Sequence, residues 1–226
     1  MILRVRSGAD IRLADAFGLP GCPLCRESAR TEAAYLESIL AESVNDVAFR
    51  MALDEGRGFC ARHSRAVLDA DRRRSGSLGA AILLRATMEI RIRELEAAHG
   101  EGGRTRRKRL EAATRPPACP ACARVDAANA VEIESVGRLV ADAAWAEAVA
   151  IAPFCHPHLL ELAAHQPPLP SWPSIEARQL ERLREISGRL GAYADASAHD
   201  RRDQITPTMA VSVDDAAGHL AGNTET

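Results

Sequence analysis

Two pairs of cysteines have the spacing of metal ligands. Cys22 and Cys25 form one C-x-x-C segment, and Cys119 and Cys122 form another. A C-x-x-C turn can direct two thiolates toward one point, and zinc prefers four such ligands arranged as a tetrahedron. Each pair therefore predicts half of a metal site.

Two C-x-x-H segments can supply the other halves. Cys60 and His63 form the first segment, and Cys155 and His158 form the second. Side chains three residues apart on the first turn of a helix share one face, which is a ligand geometry. Two Cys3His sites then use all six cysteines and two of the seven histidines.

The order of the segments suggests how they pair. We expect each C-x-x-C to bind together with the C-x-x-H that follows it, after 34 intervening residues in the first case and 32 in the second. A helical hairpin of that length would travel out and return the second pair to the first. The alternative is that the two halves of the chain exchange ligands.

The ligand types favour zinc, with two ions per chain. Isolated Cys3His sites are mostly zinc sites, and an iron-sulfur cluster is the alternative because it also uses cysteine thiolates. A shell of four protein ligands leaves no open position for water, so we expect structural metals and no catalytic residues.

Thiol redox chemistry is a second interpretation of the cysteines. Pro23 and Pro120 make both segments C-P-x-C, as in disulfide oxidoreductases, where helix N-terminal N–H groups depress the thiol pKa. That motif belongs with a βαβ unit, and no strand pattern precedes either segment. A switch in which oxidation ejects zinc would combine the two interpretations.

The other histidines and a basic run are weaker candidates. His158 is preferred to His156 because it matches the spacing of Cys60 and His63 and because Pro157 constrains the turn. We expect surface positions for the histidines outside the motifs: His99, His165, His199 and His219. The run Arg104 to Arg109 could contact phosphates, but it lacks neighbouring aromatic side chains for base stacking. Nucleic-acid binding is therefore possible but not favoured.

The elements that must position these residues recur along the chain. The cysteine, apolar, acidic and aromatic positions of the first half return in the second at an offset of 95 to 97 residues, which predicts an internal duplication. After Cys25, apolar residues fall three or four apart, which is typical of a helix. Asp46 and Asp142 are placed to cap a second helix, with Phe49 and Trp145 three residues later to pack inward.

These patterns predict an all-α fold of two related helical units, each with a Cys3His metal site. The expected domains are a first repeat over 1–99, a basic Gly-rich linker over 100–117, a second repeat over 118–199 and a flexible tail over 200–226.

Composition narrows the class of protein. The net charge of −2 gives no global reason to expect nucleic acid or an anionic membrane. No apolar run is long enough to span a membrane, and Met1 to Arg6 lacks the features of a signal peptide. We expect a cytoplasmic protein, in which cysteines are more often metal ligands or redox thiols than disulfides.

The motifs also resemble those of a bacterial family of unknown function. Its members carry C-P-L-C, a Y-L-x-S-L-L-like helix, V-N-D and G-F-C-x-x-H, which correspond here to Cys22–Cys25, 35–40, 44–46 and 58–63. The second half matches through C-P-x-C and F-C-x-x-H, and departs from the pattern at Ala121 and Pro153. The resemblance implies a metal-binding helical protein and names no substrate.

The sequence thus favours an interaction or regulatory module, with a protein partner, over an enzyme. Ligands are abundant, whereas no nucleophile, general base or cofactor loop stands out. If the protein is an enzyme, we expect a thiol or iron-sulfur oxidoreductase.

Overall fold

The fold, seen in a computed structural model that describes residues 7–74, 76–169, 171–198 and 201–222, is all-α. No strand occurs in these ranges, which confirms the predicted class. The α-helices are α1 (Gly8–Phe17), α2 (Pro23–Ser38), α3 (Val47–Glu55), α4 (Ala61–Arg73), α5 (Leu78–His99), α6 (Gly103–Ala113), α7 (Pro120–Leu139), α8 (Ala143–Ile151), α9 (His156–Ala163), α10 (Trp172–Ala198) and α11 (Pro207–Ala221). A π-helical segment, Ile39–Ser43, continues α2, and a short 3-10 helix, Arg202–Gln204, precedes α11.

Two compact units make up the chain. Unit 1 combines the described residues of Met1–Ala29 with those of Ala128–Thr226, and unit 2 is formed by those of Arg30–Ala127. The chain passes from unit 1 to unit 2 within α2 and returns within α7. These bounds differ from the predicted repeats over 1–99 and 118–199, because each unit takes a part of both halves of the sequence. The duplication itself stays a prediction.

Unit 2 has its own apolar core. Leu53 of α3, Val67 of α4 and Leu83 of α5 are fully buried, and Phe59 lies beside them in the same cluster. Burying each such side chain contributes roughly 1.5–3 kcal/mol to folding. This core lies beside the start of α4, where Cys60 and His63 are found.

Unit 1 has a second, separate core. Leu13 of α1, Phe154 and Ile175 of α10 are fully buried, and Trp145 of α8 is 5% exposed. The ring of Phe17 contacts both Trp145 and Phe154, with centroids 5.9 and 6.3 Å away. The segment leading into α9 is thereby held against α1 and α8.

Both helices that were predicted to begin after Asp46 and Asp142 are present. Asp46 caps α3, since its side chain accepts a hydrogen bond of 2.7 Å from the backbone N–H of Phe49, and such a cap contributes about 1 kcal/mol. α8 begins at Ala143, directly after Asp142. The aromatic residues point inward as expected, although Phe49 is only half-buried.

Two segments predicted to be irregular are helical. The basic linker contains α6, which packs along α5 without burying any of its own residues, so it lacks the apolar stripe that would have revealed it. The predicted tail contains α11, which begins directly after the capping residue Thr206 and packs against α10. Its buried residues include the polar Ser212 and His219, so hydrophobic periodicity was weak there too. Residues 200 and 223–226 lie outside the described part of the chain.

Among the described residues, no helix is both long enough and apolar enough to cross a membrane.

Candidate metal centres

All eight predicted ligands converge in two groups, and each group belongs to one compact unit. Within each group the four ligand atoms lie within 4.8 Å of one another. We name the group in unit 1 Site 1 and the group in unit 2 Site 2. Site 1 consists of Cys22, Cys25, Cys155 and His158; Site 2 consists of Cys60, His63, Cys119 and Cys122.

In Site 1 the histidine faces three sulfur atoms. The Nδ1 atom of His158 lies 3.5 Å from the Sγ of Cys22, 3.3 Å from that of Cys25 and 3.1 Å from that of Cys155. The Sγ atoms of Cys25 and Cys155 are 3.4 Å apart. Four donor atoms this close together could bind one metal ion.

Site 2 repeats this arrangement. The Nδ1 atom of His63 lies 3.2, 3.4 and 3.3 Å from the Sγ atoms of Cys60, Cys119 and Cys122. The Sγ atoms of Cys60 and Cys122 are 3.7 Å apart. His63 is fully buried, so its ring is fixed by packing as well as by these contacts.

Each site is built where two helices begin. In every motif the first ligand immediately precedes a helix and its carbonyl accepts the first helical hydrogen bond, while the second ligand lies on the first turn. The four bonds run from Arg26 to Cys22, Ser64 to Cys60, Ala123 to Cys119 and Leu159 to Cys155. Helix N-termini carry partial positive charge and lower the pKa of nearby thiols. Each site has one thiol whose pKa is lowered, Cys22 in Site 1 and Cys119 in Site 2.

The pairing of the motifs differs from the one expected. Cys22 and Cys25 meet Cys155 and His158, and the C-x-x-C of the second half meets Cys60 and His63. The predicted return within one half is therefore wrong, and the alternative of exchanged ligands is what the structure contains.

The reason for the exchange lies in the helix lengths. At 1.5 Å per residue, the 16 residues of α2 extend for about 24 Å and the 9 residues of α3 for only about 14 Å. The 20 residues of α7 and the 9 of α8 differ even more. A hairpin of two such unequal helices does not by itself return the C-x-x-H segment to the cysteines at the start of the longer helix.

Comparison with known proteins assigns most of the chain to a family. A family described as a family of unknown function, DUF6062, matches residues 9–168, which is more than half of the chain. The chain belongs to this family. No match was found among the curated proteins or among the solved structures. All eight ligands of the two sites lie inside the residues that match DUF6062, whereas α10 and α11 lie beyond them.

Both ring nitrogens of the Site 2 histidine have partners in this DUF6062 member. The Nε2 atom of His63 lies 3.2 Å from a carboxylate oxygen of Glu32, and the other oxygen of Glu32 is 3.1 Å from the guanidinium of Arg62. In the absence of metal, hydrogen bonds to Cys119 and Glu32 raise the pKa of His63 to about 10. The contact with His63 likewise lowers the pKa of Glu32. A carboxylate behind the ring fixes the tautomer that presents Nδ1 to a metal.

The histidine of Site 1 has a different environment. Burial opposes its protonation, but hydrogen bonds to Cys22 and Cys25 outweigh that effect and raise the pKa of His158 to about 10. The groups that raise this pKa are cysteines only, whereas in Site 2 they include the carboxylate of Glu32. The two sites therefore share their ligand types but differ in the residue behind the histidine.

The thiols within a site differ in pKa. Burial would raise the pKa of Cys119, but its hydrogen bond to His63 lowers it to about 6. Burial and the neighbouring charge of Cys119 raise the pKa of Cys122 to about 12. Hydrogen bonds from Cys155 and Cys25 lower the pKa of Cys22 in Site 1. A bound cation would replace the shared protons, so both groups could hold metal ions.

The remaining histidines follow the prediction only in part. His156 is exposed and is absent from Site 1, which supports the choice of His158. His99 is exposed as expected, but the side chain of His165 is only 7% exposed and pairs with Glu134. His219 was expected at the surface and is instead buried, because its ring packs against His156 and bonds the Phe154 carbonyl. His199 lies outside the described residues.

Sequence reasoning missed three residues that support the sites. Glu32 lies in the middle of α2, with no motif around it. Gly222 lies in the segment predicted to be a tail, and Arg57 precedes a C-x-x-H motif without being part of it. Arg57 has a φ of 64°, and its guanidinium donates to the carbonyls of Ala113 and Arg115, 2.9 Å away in each case. It thereby joins the segments that lead into both motifs of Site 2. No local pattern could have shown this, since the partners are 56 and 58 residues away.

Proposed function

We propose that this protein binds two zinc ions in structural Cys3His sites and acts as an interaction or regulatory module. The observation that carries the proposal is the convergence of eight ligand atoms in two groups. Six of these residues are all the cysteines of the chain, and none forms a disulfide. Free thiols in such number also support a reducing compartment, the cytoplasm.

The dimensions of both groups support a single tetrahedral ion. With bonds of about 2.3 Å to sulfur and about 2.0–2.1 Å to nitrogen, a tetrahedral zinc site has S···S edges of about 3.8 Å and N···S edges of about 3.6 Å. The S···S distance is 3.4 Å between Cys25 and Cys155 and 3.7 Å between Cys60 and Cys122, and the N···S distances run from 3.1 to 3.5 Å. An expansion of these distances by a few tenths of an ångström would accommodate zinc.

The same dimensions weigh against an iron-sulfur cluster. The ligands of a cluster bind different iron atoms, so their ligand atoms must be separated by the width of the cluster. Here no two ligand atoms of a site are more than 4.8 Å apart. Thiol redox activity of the paired C-P-x-C motifs remains the other alternative, and the half-buried Cys25 and Cys122 are their more exposed cysteines.

A structural role follows from the closed shells. Four protein ligands leave no position for a substrate or an activated water, so catalysis at the metal is not expected. Each ion instead would join helix starts that are far apart in the sequence, and structural zinc contributes its binding free energy to folding.

A groove on unit 2 is the best candidate for contact with a protein partner. It lies between α3 and α5 and has a volume of about 490 Å³. Val47 and Met51 are exposed beside it, at 71% and 58%, and charged side chains such as Arg50 and Arg93 line it. Apolar residues with a polar rim are typical of protein interaction surfaces. The exposed basic helix α6 is the surface that nucleic-acid binding would require, and this alternative is not favoured.

Metal analysis of anaerobically purified protein, combined with a visible absorption spectrum, tests the proposal. We expect two zinc ions per chain and no visible chromophore. A brown protein containing iron and inorganic sulfide would replace the proposal by the cluster alternative. A protein without metal, whose thiols are oxidised to disulfides by a disulfide reagent and reduced again by a dithiol, would support the redox alternative.

A further inference from the structure

The end of α11 lies directly on Site 1. Gly222 follows the helix with a φ of +76°, a conformation that favours glycine. A Cβ atom at this residue would lie 2.9 Å from the Sγ of Cys25 and 3.7 Å from the Sγ of Cys155. The backbone therefore approaches two of the four ligand atoms as closely as only glycine permits.

Several contacts hold α11 in this place. The Nδ1 of His219 donates a hydrogen bond of 3.0 Å to the carbonyl of Phe154, the residue before Cys155. The His219 ring also lies edge-on to that of His156, with centroids 5.9 Å apart. Earlier in the helix, Asp215 pairs with Arg189 of α10 at 3.3 Å. These contacts attach α11 both to the site and to its neighbouring helix.

The thiol beside Gly222 is also the least buried thiol of Site 1. Cys22 and Cys155 are 2% and 1% exposed, so Cys25 is the one cysteine of Site 1 that is not fully buried. In Site 2 both Cys60 and Cys122 are half-buried. A reagent that attacks Site 1 through a thiol therefore has to approach Cys25, which is where Gly222 lies.

We propose that α11 is a cover for Site 1 which controls the access of chelators and thiol reagents to Cys25. The inference builds on the proposed metal site, because the physiological consequence of opening is metal exchange at Site 1. α11 lies beyond the residues that match the family, so the cover is separate from the matched region that carries both sites. The reactivity of Site 1 then depends on the docking of α11, and that of Site 2 does not.

Residue-resolved alkylation of the full chain tests the cover. The protein is treated with iodoacetamide and a zinc chelator, and mass spectrometry follows the modification of Cys25 and Cys60 in the same molecules. His219→Ala removes the bond to Phe154, and Ala217→Pro interrupts α11 at an exposed position. Because losing one net hydrogen bond raises the open population several-fold, we expect Cys25 to react about fivefold faster in His219→Ala and faster still in Ala217→Pro.

Matched substitutions of glycine provide the control. Gly222→Ala would place its Cβ against the sulfur of Cys25 and should also accelerate alkylation there. Gly188→Ala on α10, where a Cβ would meet nothing within 4 Å, should leave the rate unchanged. Cys60 should react at the wild-type rate in all four variants.

Two results would overturn the cover. One is an unchanged rate at Cys25 in Ala217→Pro; the other is an equal rise at Cys60, which would mean that the variants loosen the whole chain. The comparison is repeated on metal-free protein, where the effect of α11 on Cys25 alkylation should persist. Protein purified without metal would therefore contradict the proposed function. The alkylation rates of Cys25 in that protein would still test the cover.

Discussion

The Sγ of Cys22 lies 3.5 Å from the Nδ1 of His158, although 136 residues separate them in the sequence. The whole of unit 2, from Arg30 to Ala127, lies between these ligands in the chain. A metal at Site 1 would close this long loop, and the entropy of closing a loop grows with its length. The unfolded chain would therefore bind the ion poorly, and the binding free energy at Site 1 would stabilise the folded state.

The pairing of motifs can be tested by counting metals in double variants. Cys60→Ser with Cys119→Ser removes two ligands of Site 2 only, so we expect one zinc ion to remain. Cys22→Ser with Cys60→Ser damages both sites, so we expect neither ion to remain tightly bound. Metal analysis after gel filtration gives the stoichiometry. The reverse result, with one metal kept only in the second variant, would mean that ligands pair within each half.

The carboxylate of Glu32 should strengthen metal binding at Site 2. Glu32→Gln keeps the shape of the side chain but weakens the contact with Nε2 of His63, and loss of such a partner lowers metal affinity roughly 10- to 100-fold. Competition with a chromophoric chelator should show one of the two ions leaving more readily. Glu37→Gln, at an exposed position of the same helix, should match the wild type. If both variants retain both ions equally well, Glu32 does not support metal binding at Site 2.

Arg57 should stabilise unit 2 through its guanidinium. Its side chain pairs with Glu94 at 2.6 Å and bonds two carbonyls, and hydrogen bonds of charged groups contribute about 1.5–3 kcal/mol. We expect Arg57→Ala to lower the free energy of unfolding by about 2 kcal/mol, measured by urea denaturation with metal bound. Arg57→Gly should lose about 1 kcal/mol less, since glycine tolerates the φ of 64°. An exposed control, Arg104→Ala, should be neutral, and an equally neutral Arg57→Ala would contradict the role assigned here.

Gly58 should be intolerant of a side chain. Its φ is +82°, and a Cβ there would lie 2.7 Å from the Cγ2 and 3.0 Å from the Oγ1 of the buried Thr87. We expect Gly58→Ala to destabilise the protein by about 2–4 kcal/mol, from backbone strain and overpacking together. Thr87→Ser removes the closest atom and should restore part of this loss in the double variant. Denaturation of both single variants and the double variant measures the coupling; purely additive losses would exclude the clash.

The ligands themselves were predictable because their geometry is local. A cysteine before a helix and a second ligand three residues later lie together in any helix start, so Cys60 and His63 needed no tertiary information. Asp46 was recognisable as a cap for the same reason. The helices α6 and α11 were missed because one buries no residue and the other buries polar ones, such as His219. Apolar periodicity therefore carried little information about either.

The sequence by itself determined the all-α class, the eight candidate ligands and their division into four helix starts. Only the tertiary structure decided which helix starts meet, because α2 and α7 are longer than the helices that follow them and carry the chain into the other unit. It also decided that Glu32 supports one histidine and that Gly222 covers one thiol. Contacts between residues so far apart in the chain depend on helix lengths and packing, which no motif records.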